Sequence, residues 1–359
     1  MTVTERTAAP AKRDRRRELA APPTSGHGPR SWLYALTTTN PPPAAGTDID
    51  GVTRWLVVTR AAVLPMTVFA GLVGTLLAIN RPGFNGLDAA LAIVGIMLAH
   101  LNNNLSNDLF DTGVGTDTAA YPRALYAPHP LLSGLVTSRQ LYAAIVATTV
   151  GDVAIAGVLL DRRGWGVVAI AAAGFVLSVA YTAPPLRLKK RGLGEPDVFA
   201  VWGPLMVGGT YLAATGRLPW QVIVASVPYG LLCTTVLMGK HVDKIPYDEP
   251  AGTRTLPVIL GERLARQVTV ALLGAFYATV GVGVGVGALP WPTLVVVLAI
   301  PRLVQVAKAL LAPRPDEPPK HYPIWPLWYA AATFLHVRRA GALFVVGLAA
   351  AAGAGINPF

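Results

Sequence analysis

The run Asn102-Asn103-Asn104-Leu105-Ser106-Asn107-Asp108-Leu109-Phe110-Asp111-Thr112-Gly113-Val114-Gly115-Thr116-Asp117 gathers the residues best equipped for chemistry. On a helix, positions three and four apart share a face, so Asn104, Asn107, Asp108 and Asp111 project together. Gly113 and Gly115 then end the helix and let Asp117 fold back. Acids crowded on one face repel each other unless a cation neutralises them. Hard divalent cations take oxygen ligands, and Mg²⁺ is commonly held by one or two carboxylates together with substrate phosphates. A solvated helix end would account for the acids but not for amides and acids sharing one face beside an apolar run. Ionisable groups at membrane depth are functional candidates by default.

A second acidic run reads Gly239-Lys240-His241-Val242-Asp243-Lys244-Ile245-Pro246-Tyr247-Asp248 and continues to Arg254-Thr255-Leu256. Proline breaks a helix interior, so the spacing predicts a helix ending near Lys244 and Asp248 returning from a loop. Asp243 and Asp248 are candidates for a second metal site, and Lys240 and Arg254 can meet phosphate oxygens. The plainer alternative is a charged loop of Lys–Asp pairs. A third segment, Tyr181 to Glu195, carries Arg187, Lys189, Lys190 and Arg191 and then Gly192-Leu193-Gly194-Glu195. Cations beside two acidic runs point to a diphosphate held between metals and basic groups. No His or Cys pair has zinc-ligand spacing, no phosphate-binding glycine loop or nucleophile elbow occurs, and the single Cys233 excludes an internal disulfide.

The elements that must position these residues follow from composition. Of 359 residues, 53% are hydrophobic and 14% charged, and the mean hydropathy is +0.48. Soluble chains average about 25% charged residues. The deficit fits a lipid-facing surface, and stretches of about 20 apolar residues, enough for one span each, recur along the chain. The expected class is all-α, a multi-pass bundle with spans near 55–78, 86–106, 139–160, 165–182, 197–215, 219–239, 266–288, 290–311 and 324–354. With the N-terminus inside, 21 Lys and Arg fall in inner segments and four in outer ones. That asymmetry predicts a cytoplasmic N-terminus in the cell membrane, with both acidic runs on the inner side. The net charge of +11 is dispersed among spans, which argues against nucleic acid. Residues 1–50, rich in Pro, Arg, Ala and Thr, read as a disordered basic tail.

These residues resemble the UbiA superfamily of intramembrane prenyltransferases. Asn107, Asp108, Asp111, Gly115 and Asp117 match that family's first acidic motif, and the run ending at Arg254, Thr255 and Leu256 is similar to its second. The Tyr181–Glu195 segment is closest to the menaquinone branch, which prenylates dihydroxynaphthoate. The resemblance spans about residues 55–311 and implies a domain over 51–359 with nine membrane helices around a central cavity. It implies Mg²⁺-dependent transfer of an isoprenyl group from a prenyl diphosphate to a lipophilic or aromatic acceptor. Under it Asp108, Asp111 and Asp117 hold one Mg²⁺ and Asp243 and Asp248 a second. Lys189, Lys190, Lys240 and Arg254 neutralise the diphosphate, while Asn104, Asn107 and Tyr181 contact substrate. Asp108, Asp111, Asp243 and Lys189 are the expected catalytic residues. The second motif departs from the family pattern, since its acids stand five apart rather than four. That departure keeps a terpene cyclase on the same scaffold as an alternative. A transporter built of repeated halves is a further one, with the acids' position at one membrane face against it.

Overall fold

Within hydrocarbon every backbone N–H and C=O must pair inside its own segment, and the computed structural model accordingly places the apolar runs in helices. It describes residues 22–113, 121–319 and 322–359. Among these residues nine helices are long and apolar enough to cross a membrane, and there is no strand.

The elements run α1 (Pro29–Thr38), α2 (Gly51–Val58), α3 (Leu64–Ala78), α4 (Gly86–Gly113), α5 (Pro122–Tyr126), α6 (Ser138–Arg163) and α7 (Trp165–Thr182). Then come α8 (Gly194–Ala200) and α9 (Met206–Thr215), joined through a π turn at Val201–Leu205 that contains Pro204. The remainder is α10 (Trp220–Asp248), α11 (Leu256–Leu260), α12 (Glu262–Gly285), α13 (Ile300–Leu311) and α14 (Tyr329–Gly353). The main core joins α3, α9, α10, α12 and α14 through side chains such as Val73, Tyr211, Tyr229, Phe276 and Phe344. Helices α6 and α7 hold few buried residues and present apolar side chains outward, Val150, Val153, Phe175 and Val176 among them. That outward face is the one lipid requires.

Three differences from the sequence expectation bear on the site. Span one begins at Ala61 rather than 55, because the chain turns at Arg60, whose φ of 54° lies in the left-handed region. A non-glycine residue there is uncommon and strained, and the turn directs the Arg60 side chain toward α4. Span six continues to Asp248 with Pro246 inside it. Pro246 removes one N–H, but the ladder resumes with Glu249 N–H donating to Ile245 O at 3.1 Å. So Asp248 belongs to the helix, not to a returning loop.

The third difference is in the expected tail. Residues 1–21 lie outside the described residues, but 22–50 are folded instead of disordered. Asp50 caps α2 by accepting from Thr53 N–H at 2.6 Å. It also accepts from Gly28 N–H and from the Trp32 indole, at 2.7 and 2.9 Å. The buried Ser31 and Thr53 hydroxyls meet at 2.9 Å between α1 and α2. Asn40 then donates to Tyr126 O and Pro323 O, which fastens this hairpin across the end of the bundle.

Candidate active site

Four chain segments meet at that end: the turn before α3, the end of α4 with α5, the turn after α7, and the last turns of α10. Their side chains enclose one pocket lined by Arg60, Arg123, Lys189, Lys240 and Lys244, with Asn107, His241 and the rings of Tyr121, Tyr126 and Tyr181 between them.

The asparagine run on α4 locks that helix in place. Asn102 reaches α6 through Ile145 O at 3.0 Å, and Asn103 accepts from the Ser178 hydroxyl at 3.0 Å. Asn104 donates to Thr59 O at 3.1 Å, and Asn107 accepts from the Thr182 hydroxyl at 2.7 Å. Only Asn107 of these lines the pocket. Asn104 instead fixes the backbone beside Arg60.

Asp108 is fully buried. Arg123 grips it with two hydrogen bonds, Nε to Oδ1 at 2.8 Å and Nη2 to Oδ2 at 2.9 Å. Arg60 donates to Oδ1 as well, and His129 stands 3.8 Å away. A carboxylate so buried needs such partners, because an uncompensated charge would cost several kcal/mol. Three hydrogen bonds use three of about four lone-pair sites on a carboxylate, which leaves Oδ2 able to accept once more. Asp111 lies one turn further along α4. Its side chain, and Asp117, lie outside the described residues.

Asp243, expected in the metal set, is held by backbone groups of α14. Its Oδ1 accepts from Tyr329 N–H at 3.0 Å and its Oδ2 from Ala330 N–H at 2.8 Å. Both groups are first-turn donors of α14, which an isolated helix leaves unpaired. Asp243 thus serves as a buried cap for α14. Helix phase explains the reassignment: residues five apart on one helix are turned by about 140° from each other, so Asp243 and Asp248 face different neighbours. Gly239, one turn before Asp243, permits the approach, since a Cβ there would lie 2.8 Å from Tyr329 O.

Asp248 faces the pocket side. It accepts from the Tyr121 hydroxyl at 2.6 Å, lies 3.5 Å from Lys244 Nζ, and keeps Oδ2 buried without a hydrogen-bond partner. Lys244 Nζ sits 4.5 Å over the Tyr121 ring, and Lys189 Nζ 6.0 Å over that of Tyr181. Glu195, the acid of the Gly-Leu-Gly-Glu run, holds His241 Nδ1 at 2.7 Å, so that run orients a pocket histidine. A Cβ on Gly194 would stand 3.2 Å from the Tyr181 ring, and glycine lets that ring pack there. Burial acts to raise the Tyr126 hydroxyl, but Lys240, Arg60 and Arg123 draw it down to about 8.

Lys189 and Lys240 therefore stand where the sequence placed them, in the pocket. Lys190 is half-buried beside it and does not line it. Arg254 is exposed, and its backbone bridges to Arg191. Arg60, Arg123, Lys244, Tyr121 and Tyr126 were not anticipated. Arg60 carried a signal, as a charge inside an otherwise apolar run.

The first acidic motif fits a hard cation: its donors are carboxylate and amide oxygens, and the Asp108 carboxylate retains an acceptor site. The second is arranged differently, because Asp243 binds the first-turn N–H groups of α14 and does not line the pocket. Among the described residues no three His, Cys, Asp or Glu side chains cluster as a metal site.

Fold and pocket define a class, a polytopic helical membrane protein with a cationic pocket at one end of its spans. The chain belongs to the UbiA prenyltransferase family, whose sequence profile matches residues 64–331. It is 26% identical over 262 residues to a 2-carboxy-1,4-naphthoquinone phytyltransferase of Synechocystis sp., covering 71% of this chain and 81% of that protein. It is 30% identical over 241 residues to a 1,4-dihydroxy-2-naphthoate octaprenyltransferase of Escherichia coli, covering 63% and 74%. These names are of the branch that the Tyr181–Glu195 segment resembles. Among solved structures, a UbiA homologue from Aeropyrum pernix matches with a TM-score of 0.53 at 20% identity, over 82% of this chain and 96% of that one. Another from Archaeoglobus fulgidus, bound to GPP and Mg²⁺, matches with a TM-score of 0.51 at 15% identity, over 81% and 99%. The likeness to these structures establishes the shared fold.

Proposed function

We propose that this protein is a Mg²⁺-dependent intramembrane prenyltransferase that moves an isoprenyl group from a prenyl diphosphate to an aromatic, naphthoate-like acceptor. The observation that carries this reading is the convergence of five cationic side chains on one pocket beside the buried Asp108. The relatives' names as naphthoate prenyltransferases support the acceptor class. Arg60, Arg123, Lys189 and Lys240 bind the diphosphate and stabilise the charge that grows on it as the C–O bond breaks. Fixed donors aimed at developing charge are effective because they need no reorganisation. Asp108, Asp111 and Asp117 would hold the metal, which when bound would neutralise charge on the diphosphate oxygens. The isoprenoid lies among the spans, which exclude the water that would quench an allylic cation. Tyr181 and Tyr126 offer π faces at the mouth. The charge asymmetry of the loops supports a cytoplasmic pocket and N-terminus in the cell membrane.

The test is mass spectrometry of products from purified protein with Mg²⁺, a panel of prenyl diphosphates, and dihydroxynaphthoate present or absent. A prenylated naphthoate formed only with acceptor is the expected result. A cyclic hydrocarbon formed without acceptor would move the assignment to a terpene cyclase, and diphosphate release unchanged in Asp108→Asn with Asp111→Asn would end the enzyme reading.

A further inference from the structure

The second acidic motif sets a cation beside its pocket-side acid. Asp243 is spent on the N-terminus of α14. On the face that meets the pocket, one turn before Asp248, stands Lys244. Residues four apart share a helix face, and the Lys244 ammonium lies 3.5 Å from Asp248 Oδ1, braced over the Tyr121 ring and buried. Tyr121 takes the same Oδ1. Among the described residues, a divalent ion on Asp248 would have a single carboxylate and an ammonium in near contact. Mg²⁺ is commonly held by one or two carboxylates together with substrate phosphates, and an ammonium beside the one carboxylate on this face opposes a further positive charge there by Coulomb repulsion.

We infer that the Lys244 ammonium, anchored on Asp248 and Tyr121, takes the place of a second divalent ion, so that this enzyme binds its prenyl diphosphate with one metal and one tethered cation. Asp248 serves as the anchor, and an ammonium with three donors keeps two for phosphate oxygens after meeting Asp248. The inference rests on the prenyl diphosphate reading. It assigns Lys244 as a substrate-binding residue and Asp248 as the residue that positions it.

The experiment uses the full chain in nanodiscs, Mn²⁺ as the spin-active probe, and geranyl S-thiolodiphosphate as a donor analogue that does not release its diphosphate. Electron paramagnetic resonance titration counts Mn²⁺ bound per chain. One Mn²⁺ at saturation, without the spectrum of a coupled pair, is expected. Lys244→Asp should admit a second Mn²⁺. Lys244→Met should keep one Mn²⁺ and weaken the analogue by about 10- to 100-fold, the range for losing one charge-assisted hydrogen bond. Two Mn²⁺ in the unmodified chain would overturn the inference and leave the transferase reading intact. One Mn²⁺ in folded Lys244→Asp, or unchanged analogue affinity in Lys244→Met, overturns it too. No analogue-dependent Mn²⁺ at all removes both readings. Should Lys244→Asp fail to fold, the count in the unmodified chain and the affinity of Lys244→Met still decide.

Discussion

Asp243 gives the sharpest separation between architecture and chemistry. In the structure its two oxygens receive the Tyr329 and Ala330 N–H groups at 3.0 and 2.8 Å, and the side chain is 1% exposed. Asp243→Asn keeps the shape, loses the charge and turns one acceptor into a donor facing an N–H. Hydrogen bonds to a charged group contribute about 1.5–3 kcal/mol each, and loss of an N-terminal cap costs about 0.5–2 kcal/mol. The expected destabilisation is about 2 kcal/mol for Asn and about 2–4 kcal/mol for Asp243→Ala. At roughly 2–4 °C per kcal/mol, the thermal midpoint of the purified protein should fall by about 4–16 °C for Ala. The folded fraction of Asp243→Asn, assayed for diphosphate release below its melting range, should keep turnover within about threefold, since no reacting atom touches residue 243. A metal ligand behaves in the opposite way, with a normal melting point and activity lost by about 100-fold or more. If Asp243→Asn melts like the parent and is inactive, the cap assignment is wrong.

The Tyr126 hydroxyl should ionise near pH 8, followed by absorbance at 295 nm against Tyr126→Phe. Its acidity is increased on folding, so the stabilisation it gives is full above its unfolded value near 10, declines between the two, and is lost as pH falls through about 8. A bound diphosphate analogue adds negative charge, so the apparent midpoint should rise when it is present. Arg123→Gln leaves Asp108 with Arg60 and the nearby His129 and should cost about 3 kcal/mol in stability, read as loss of folded protein in detergent. Lys189→Ala should raise KM for the prenyl diphosphate by about 10-fold or more with a smaller effect on kcat, consistent with a lost charge-assisted contact. Chelation with EDTA should abolish turnover, and Mg²⁺ should restore it.

The spans were readable because lipid imposes a single rule, and the apolar runs at 165–182 and 291–311 obey it almost to the residue. In the first motif helix periodicity puts Asn104 and Asp108 on one face, and both meet the Thr59–Arg60 turn. The setting of Asp243 was not readable, because its partners are backbone groups 86 and 87 residues away, and a backbone donor leaves no trace in side-chain identity. Pro246 misled for a related reason: near a helix end, one missing N–H costs little. Arg123 sat in a loop whose tally of positive charge already explained it, and only folding shows it gripping Asp108. The hairpin over 22–50 did carry a local cue, Asp50 immediately before the α2 helix, a preferred capping type. Low apolar content in the surrounding residues masked it.

The Asn40 clasp also has a meaning in time. Its amide donates to Tyr126 O, 86 residues on, and to Pro323 O, 283 residues on. A ribosome adding about 5–20 residues per second needs roughly 15–60 s between making Asn40 and making Pro323. Through that interval the N-terminal hairpin can form its own Asp50 cap and meet α5, but the Asn40 contact with Pro323 stays unmade. A nascent chain stalled before Pro323 would carry Arg60, Arg123, Lys189, Lys240 and Lys244 with Asn40 held to Tyr126 alone of these two acceptors.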